Sequence, residues 1–326
     1  MPSITAIVVN WNGPQLTSRA VESLLQRSGE PDAEIIIVDN GSEDDSLTVF
    51  AERFGAEPRV RVIPLPENLG FGGGVNAGIR ASESPYVALL NNDAVIRDGW
   101  LRELRAVLEA PGNERVAAVT SRILLAGRWR ELSPAELQEA AELGERILRR
   151  GRRHAVVRDD EHGTVRINST GNIVDRSGNG ADRDWLAPAD IRAREEVFGF
   201  CGGAAMLRRT ALDEVGLFDE RLFMYYEDTD LSWRLRTAHW QIRYAEQAVV
   251  EHEHAASSGT ASEQFLRWNA RNRMLVAWRH GGLRMGMTAI LRTKLRFFRA
   301  LAGRRWPEVR AVWHALWDLV LPRHSR

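Results

Sequence analysis

Several groups of carboxylates, carboxamides and imidazoles follow apolar runs closely enough to act from the end of a strand. "YVALLNNDAVI" stops at Asn91, Asn92 and Asp93. A carboxylate so placed suits a hard divalent cation held against a diphosphate, although Asn and Asp also favour turns through local hydrogen bonds. "FMYYEDTDLSWRLR" crowds Glu227, Asp228 and Asp230 ahead of a helical pattern. A helix N-terminus tolerates such crowding, and one acid is able to cap it while another faces a cleft as a general base. In "VVEHEHAASSG", His252 and His254 stand at alternate positions after an apolar run, which fits a metal contact for His252 better than for His254 and fits an ordinary hydrogen-bonded histidine as well. "ENLGFGGGVNAGI" offers a helix N-terminus to an anion, but it follows the third strand rather than the first, the wrong place for a dinucleotide fingerprint. Its glycines instead permit close backbone approach to a nucleotide or its sugar, or a flexible turn. Cys201, between Phe200 and Gly202, has no base beside it and reads as a small buried residue; being the sole cysteine, it excludes an internal disulfide and a cysteine-cluster zinc site.

The elements that must position these groups are legible in outline. "ITAIVVN" and "AEIIIVD" are short apolar runs of the kind buried in a parallel sheet, each ending in polar residues (Asn10 to Gly13; Asp39 to Ser42). "RVRVIPL" and "SPYVALL" add two strands, and helical patterns fall between the runs. Strands alternating with helices predict right-handed crossovers, a mostly parallel sheet, and ligands bound at the strands' carboxyl ends. Ser133-Pro134-Ala135-Glu136 starts a charged helix, read as a helical insertion over about 127–153. A Gly/Asp/Asn-rich stretch from Asn168 to Asp184 predicts hairpins and loops, and "VFGFCGGAAMLRR" resumes a core that closes near residue 260.

Composition bounds the whole. The chain has 326 residues, 44% hydrophobic and 27% charged, which fits one large folded α/β domain with an appendage and argues against a disordered or polytopic membrane protein. The zero net charge hides an asymmetry: from Glu263 to the end there are fourteen basic and three acidic side chains, net +11, against −11 elsewhere. Lys294 is the sole lysine, a bias without a functional reading. No basic lead or small-residue cleavage site marks the N-terminus, so a cytoplasmic protein is expected.

Taken in order, "IVVNWNG", "IIIVDNGSEDDS", "ENLGFGGGVNAGI", "ALLNNDAVIRDGWL", "VFGFCGGAAMLRR", "GLFDERLFMYYEDTDLSWRLR" and "VVEHEHAASSG" resemble glycosyltransferase family 2, in particular its bacterial rhamnosyltransferase-like branch, over roughly residues 3 to 260 apart from the insertion. The resemblance implies a GT-A fold over 1–260 and an inverting transfer from a nucleotide-sugar donor, dTDP-rhamnose being the first guess and other dTDP- or UDP-sugars the alternatives. The acceptor implied is a cell-envelope polysaccharide or lipid-linked glycan. It places Asp39 at the nucleobase and ribose with Asn10 and Asn12 nearby, Asn76 in a loop beside the nucleoside, Asn92 with the donor, and Gly202 and Gly203 along the donor-sugar pocket. Asp93 takes the metal-binding place of the D-x-D motif, with Asn91 where that motif usually begins; His252 matches a contact to metal or diphosphate, and the metal is Mg2+ or Mn2+. Asp228 of the Glu227-Asp228 pair matches the catalytic base.

The rival readings are a sugar-nucleotide pyrophosphorylase, for which "VVNWNGPQL" lacks the basic glycine-rich loop, and a binding or scaffold module without turnover. In the 261–326 extension, Leu291, Leu295, Phe298 and Ala302 lie opposite Arg292, Arg296 and Arg299, and a second amphipathic pattern runs from Trp306 to Val320. Such basic, Trp-rich helices suit the anionic inner face of the plasma membrane, with contact expected over 284–321 and a peripheral location; the alternative is two helices packed on the catalytic domain. No nucleic-acid motif accompanies the charge.

Overall fold

The computed structural model describes residues 2–151, 154–253 and 262–320. His254 lies outside them. The N-terminal half alternates as the patterns predict: β1 (Ile4–Asn10), α1 (Pro14–Arg27), β2 (Glu34–Asp39), α2 (Ser46–Phe54), β3 (Val60–Pro64), α3 (Gly70–Ala81), β4 (Tyr86–Leu90), a short β5 (Ala94–Ile96), α4 (Trp100–Glu109) and β6 (Val116–Leu125). β2 and β4 flank β1 in parallel, and β3 runs parallel to β2. This parallel half is buried on both faces: Ala20, Phe50, Trp100 and Leu104 pack on one side, Val75, Ile79, Leu231 and Leu235 on the other.

Between β6 and the rest of the sheet lies the insertion, and it is not simply helical. β7 (Trp129–Glu131), β8 (Ile147–Arg150) and β9 (His154–Arg158) form an antiparallel sheet in the order β7-β9-β8, with α5 (Pro134–Glu142) carrying the expected Ser133/Glu136 capping box. Leu125, Trp129, Leu148, Val156 and Leu186 form its own small core, so "ILRR" and "HAVVR" pair as strands where the charge pattern suggested a helix. β10 (Ile167–Ser169) then joins β6, and β11 (Asn172–Val174) turns into β12 (Gly180–Asp182).

β13 (Ala204–Arg208) enters antiparallel between β4 and β6 and leads into α6 (Arg209–Val215). A 3-10 turn over Glu220–Leu222 precedes α7 (Glu227–Thr237), and β14 (Gln241–His252) runs parallel to β6. The full order β3-β2-β1-β4-β13-β6-β14-β5 brings the ends of β1, β2, β4 and β14 to one edge, as in a GT-A arrangement. Two C-terminal helices follow, α8 (Glu263–Ala302) and α9 (Trp306–Val320), packed on each other. α8 is broken at Gly282, whose φ of 68° no L side chain adopts without strain.

Candidate active site

A cavity of about 450 Å³ opens along that edge. One wall begins where β4 stops. Asp93, 7% exposed, places Oδ1 2.9 Å from His252 Nε2 at the end of β14. His252 Nδ1 lies 2.7 Å from Asn168 Oδ1, and Asn91 Nδ2 lies 3.3 Å from His252 Nε2. His252 is thus gripped at both ring nitrogens, and its Nε2 edge faces the Asp93 carboxylate and the Asn91 carboxamide together. Asn91 thus serves the imidazole in the place where the D-x-D motif carries an acid.

The opposite wall is the first turn of α7. Asp228 Oδ2 accepts from Asn172 Nδ2 (2.8 Å) and the Gly202 amide (3.0 Å), and Oδ1 accepts from Thr229 Oγ1 (3.2 Å). Burial nevertheless holds its pKa above the ordinary carboxylate value, the hydrogen bonds offsetting part of the shift. Glu227 also lines the cavity; its Oε2 has no hydrogen-bond partner among the described residues, and burial, reinforced by the Asp228 charge, pushes its pKa up to about 8. Asp230, the third acid of the cluster, is fully buried and faces away from the cavity, accepting from Arg234 (2.9 Å), Arg279 (2.7 Å) and His280 (2.8 Å). Burial alone would raise its pKa, but these cations hold it below the ordinary value.

The segment before α7 is strained: Phe223, Tyr225 and Tyr226 all have positive φ. Asn272 of α8 holds it, its Nδ2 lying 2.7, 2.9 and 2.8 Å from the Leu222, Met224 and Tyr225 carbonyls. Phe223 O also accepts from Phe71 N, and a Cβ on Gly70 would lie 2.1 Å from that oxygen, so only glycine fits where the two loops meet. Gly202 and Gly203 bridge the two walls: the Gly202 amide bonds Asp228, and Gly203 O accepts from the Asn91 amide at 2.9 Å.

The structure separates the remaining expected residues. Asn92 and both glycines line the cavity. Asp39 is buried behind it, held by Asn10 Nδ2 at 2.7 Å. Asn10 is fully enclosed, with Ser42, Ser46 and Thr17 as further partners, and braces Asp39 instead of facing the cleft. Asn12 is exposed and bonds the Glu43 amide, closing a turn between loops. Asn76 lies within a helix, not a loop, fully buried and bonded to the Phe218 backbone and Glu220. The glycines that made the region look like a loop serve packing: a Cβ on Gly74 or Gly78 would meet Val9 or Ile7 of β1 at 2.8 Å. Trp11, 46% exposed, lines the cavity together with Asn40 and Asn68.

Asp182, Asn168 and Asn172 were not singled out by the motifs. They come from β10 and the β11–β12 hairpin, and nothing in "INSTGN" distinguishes them from loop residues. Burial, reinforced by the Asp228 charge, pushes Asp182 up to about 6. Cys201 also lines the cavity, half-buried; burial and then the Asp182 charge push its thiol well up, the reverse of an activated nucleophile.

No Lys or Arg lines the cavity among the described residues, whereas Asp93, Asp182, Glu227 and Asp228 do. No lysine or arginine of the lining offsets that negative charge. Among the described residues no group of three or more His, Cys, Asp or Glu converges as a metal cluster, so Asp93 and His252 fit a cation that takes its other ligands from the donor.

Residues 5–216 match the model of glycosyl transferase family 2, and residues 176–321 that of glycosyl transferase family group 2. The chain is 26% identical over 282 residues to the N-acetylglucosaminyl-diphospho-decaprenol L-rhamnosyltransferase of Mycobacterium tuberculosis, covering 83% of this chain and 82% of that one. It is 33% identical over 144 residues to the succinoglycan biosynthesis protein ExoO of Rhizobium meliloti, covering 44% of this chain and 40% of that protein. Among solved structures, the mannosyltransferase PcManGT of Pyrobaculum calidifontis, in complex with GDP-Man and Mn2+, superposes with a TM-score of 0.55 at 14% identity over 99% of this chain and 88% of its own. GalNAc-T7 with UDP, GalNAc and Mn2+ superposes at 0.59 and 16% identity over 85% of this chain and 47% of its own. The fold is GT-A, and by a match that spans most of its length the chain belongs to glycosyl transferase family 2.

Proposed function

We propose that the protein transfers a sugar, with inversion, from a nucleotide-sugar donor to a cell-envelope polysaccharide or lipid-linked glycan. The observation that carries this reading is the pairing, across one cavity devoid of basic side chains among the described residues, of a cation-fit wall (Asp93, His252) with a hydrogen-bonded carboxylate (Asp228). The acceptor hydroxyl gives its proton to Asp228 as its oxygen attacks the anomeric carbon, and the bond from that carbon to the diphosphate oxygen breaks with the electron pair leaving on the diphosphate. Attack from the face opposite the leaving group inverts the centre. Mg2+ or Mn2+ held by Asp93 and His252 supplies charge neutralisation at the diphosphate. Asn172 and the Gly202 amide orient the base, and Glu227, neutral below about pH 8, adds no second negative charge beside it. Trp11 offers a face to the base, with Asn40, Asn92 and Asp39 around the nucleoside and ribose.

The mycobacterial relative supports dTDP-rhamnose as the first donor to try, ahead of UDP-sugars, and its name and that of the succinoglycan protein support a glycan or lipid-linked acceptor. Such an acceptor places the enzyme at the inner face of the plasma membrane as a peripheral protein. Calorimetric titration with a panel of nucleotide sugars, with and without Mg2+ or Mn2+, tests the reading: cation-dependent binding of one of them, followed by product whose anomeric configuration is inverted, is the expected result. Failure of a folded sample to bind any of them overturns it.

A further inference from the structure

The C-terminal hairpin sorts its side chains in a way that two packed helices do not require. Beyond the Gly282 kink, α8 buries Gly286, Ala289, Thr293 and Ala300, Gly286 against Trp278 and Thr293 against Arg273 of its own first half and Ala289 in one cluster with Ala315 of α9, which also buries Ala311 and Val312. Small residues there let the helices approach closely. At about 100° per residue, Leu283, Met287, Leu291, Leu295, Phe298 and Leu301 fall on roughly the opposite side of α8. All six are exposed, from 40% at Leu301 to 68% at Leu283. The apolar ladder continues onto α9 through Phe297, whose ring lies 6.1 Å from Trp313, itself stacked on Trp317 at 6.3 Å. α8 therefore carries two apolar faces, only one of which is covered by the described residues.

Charge says what covers the other. The three acids of this region are matched internally, Glu263 with Arg310, Glu308 with Arg296 and Arg305, and Asp318 with Arg267. Arg284, Lys294, Arg299 and Arg304 are exposed and make no salt bridge among the described residues. A second copy of the chain docked on this face would bring these cations against their own kind. No helix of the described residues is long and apolar enough to cross a membrane, so the face is suited to lying on one.

We propose that the outer face of the α8–α9 hairpin is a docking surface for an anionic lipid bilayer, with the Leu283–Leu301 ladder and Trp313 and Trp317 in the headgroup boundary and the unmatched cations against lipid phosphates. This deepens the reading of a lipid-linked acceptor, but lipid binding is measured without donor or acceptor and stands or falls separately. The test is sedimentation of the full chain with vesicles of phosphatidylcholine alone and of phosphatidylcholine with phosphatidylglycerol. The expected result is binding to the anionic vesicles, weakened by salt, and reduced at least about tenfold in the Leu291→Glu/Leu295→Glu/Phe298→Glu variant. A second variant, Arg284→Gln/Lys294→Gln/Arg299→Gln, keeps the apolar ladder and should lose the preference for anionic lipid. Unchanged thermal unfolding and nucleotide-sugar affinity in both variants show that the catalytic domain is intact. Equal binding to both vesicles, no binding to either, or a dimer in solution dispersed by the triple Glu variant overturns the proposal.

Discussion

The cleft and the C-terminal hairpin depart from ordinary inside–outside sorting in opposite directions: the cleft encloses carboxyl groups, and the hairpin leaves Leu283, Leu291 and Phe298 more than 60% exposed. Within each region the departures differ again by whether the chain itself answers them. Asp230 is buried but bonded by two arginines and a histidine, and Asn10 is buried but fully bonded. Among the described residues Glu227 Oε2 has no hydrogen-bond partner and nothing covers the Leu291 side. A group out of place yet satisfied internally is architecture, whereas one left unsatisfied points to something the chain binds.

That distinction can be broken at either end. Asp228→Asn should lower kcat by about 10³-fold or more while donor affinity stays within about twofold, measured by turnover and calorimetry. Parallel loss of both would move Asp228 to the architectural class. Asp230→Asn should leave Arg279 with Asp219 alone and deprive Arg234 of its carboxylate, and cost about 3–5 kcal/mol in denaturant unfolding, against an unchanged midpoint if the node is dispensable. Glu227→Gln tests the unsatisfied carboxyl through pH. The folded-state pKa of about 8 lies above the ordinary 4.5, so the native state holds the proton more tightly, and stability is lost as pH rises between these values. The variant should flatten that decline in thermal melts between about pH 5 and 9. Asn172→Ala removes a donor from Asp228; because that bond favours the ionised form, the rise of activity with pH should move to higher pH, with about a tenfold loss at neutral pH. Smallest of all, Leu295→Ser should change stability by no more than about 0.5 kcal/mol, since the described residues leave this side chain 47% exposed.

The residues legible in the sequence are those whose role follows from local pattern. β2 reads as a buried strand because "IIIV" suits no other surroundings, and Asp93, Asp228 and His252 stand at element ends that periodicity locates. The helical pattern around Asn76 is legible, but the resemblance sets Asn76 in a loop beside the nucleoside, and its partners Phe218 and Glu220 lie more than 140 residues away, beyond any local pattern. Asn10 and Asn91 look alike, each a carboxamide after a strand, yet one is closed in by Ser42, Ser46 and Thr17 and the other reaches His252. Asn168, Asn172 and Asn272 were not singled out because their partners lie 84, 56 and about 50 residues away, a separation no motif encodes. The insertion misreads for a related reason: strand pairing of 147–150 with 154–158 depends on a hairpin that the basic run conceals.

The two halves of α8 set a reach. Asn269 lines the mouth of the cavity, and Leu283 begins the outer ladder fourteen residues later, at most about 21 Å along a helix of 1.5 Å rise. If the ladder rests on lipid, the cavity mouth stands at a height no greater than that above it. An acceptor anchored in the same leaflet then presents its first sugars to Asp228, and the far end of a long polymer lies beyond the enzyme. The tether would make this an early step of assembly, before the glycan outgrows the distance between one asparagine and one leucine.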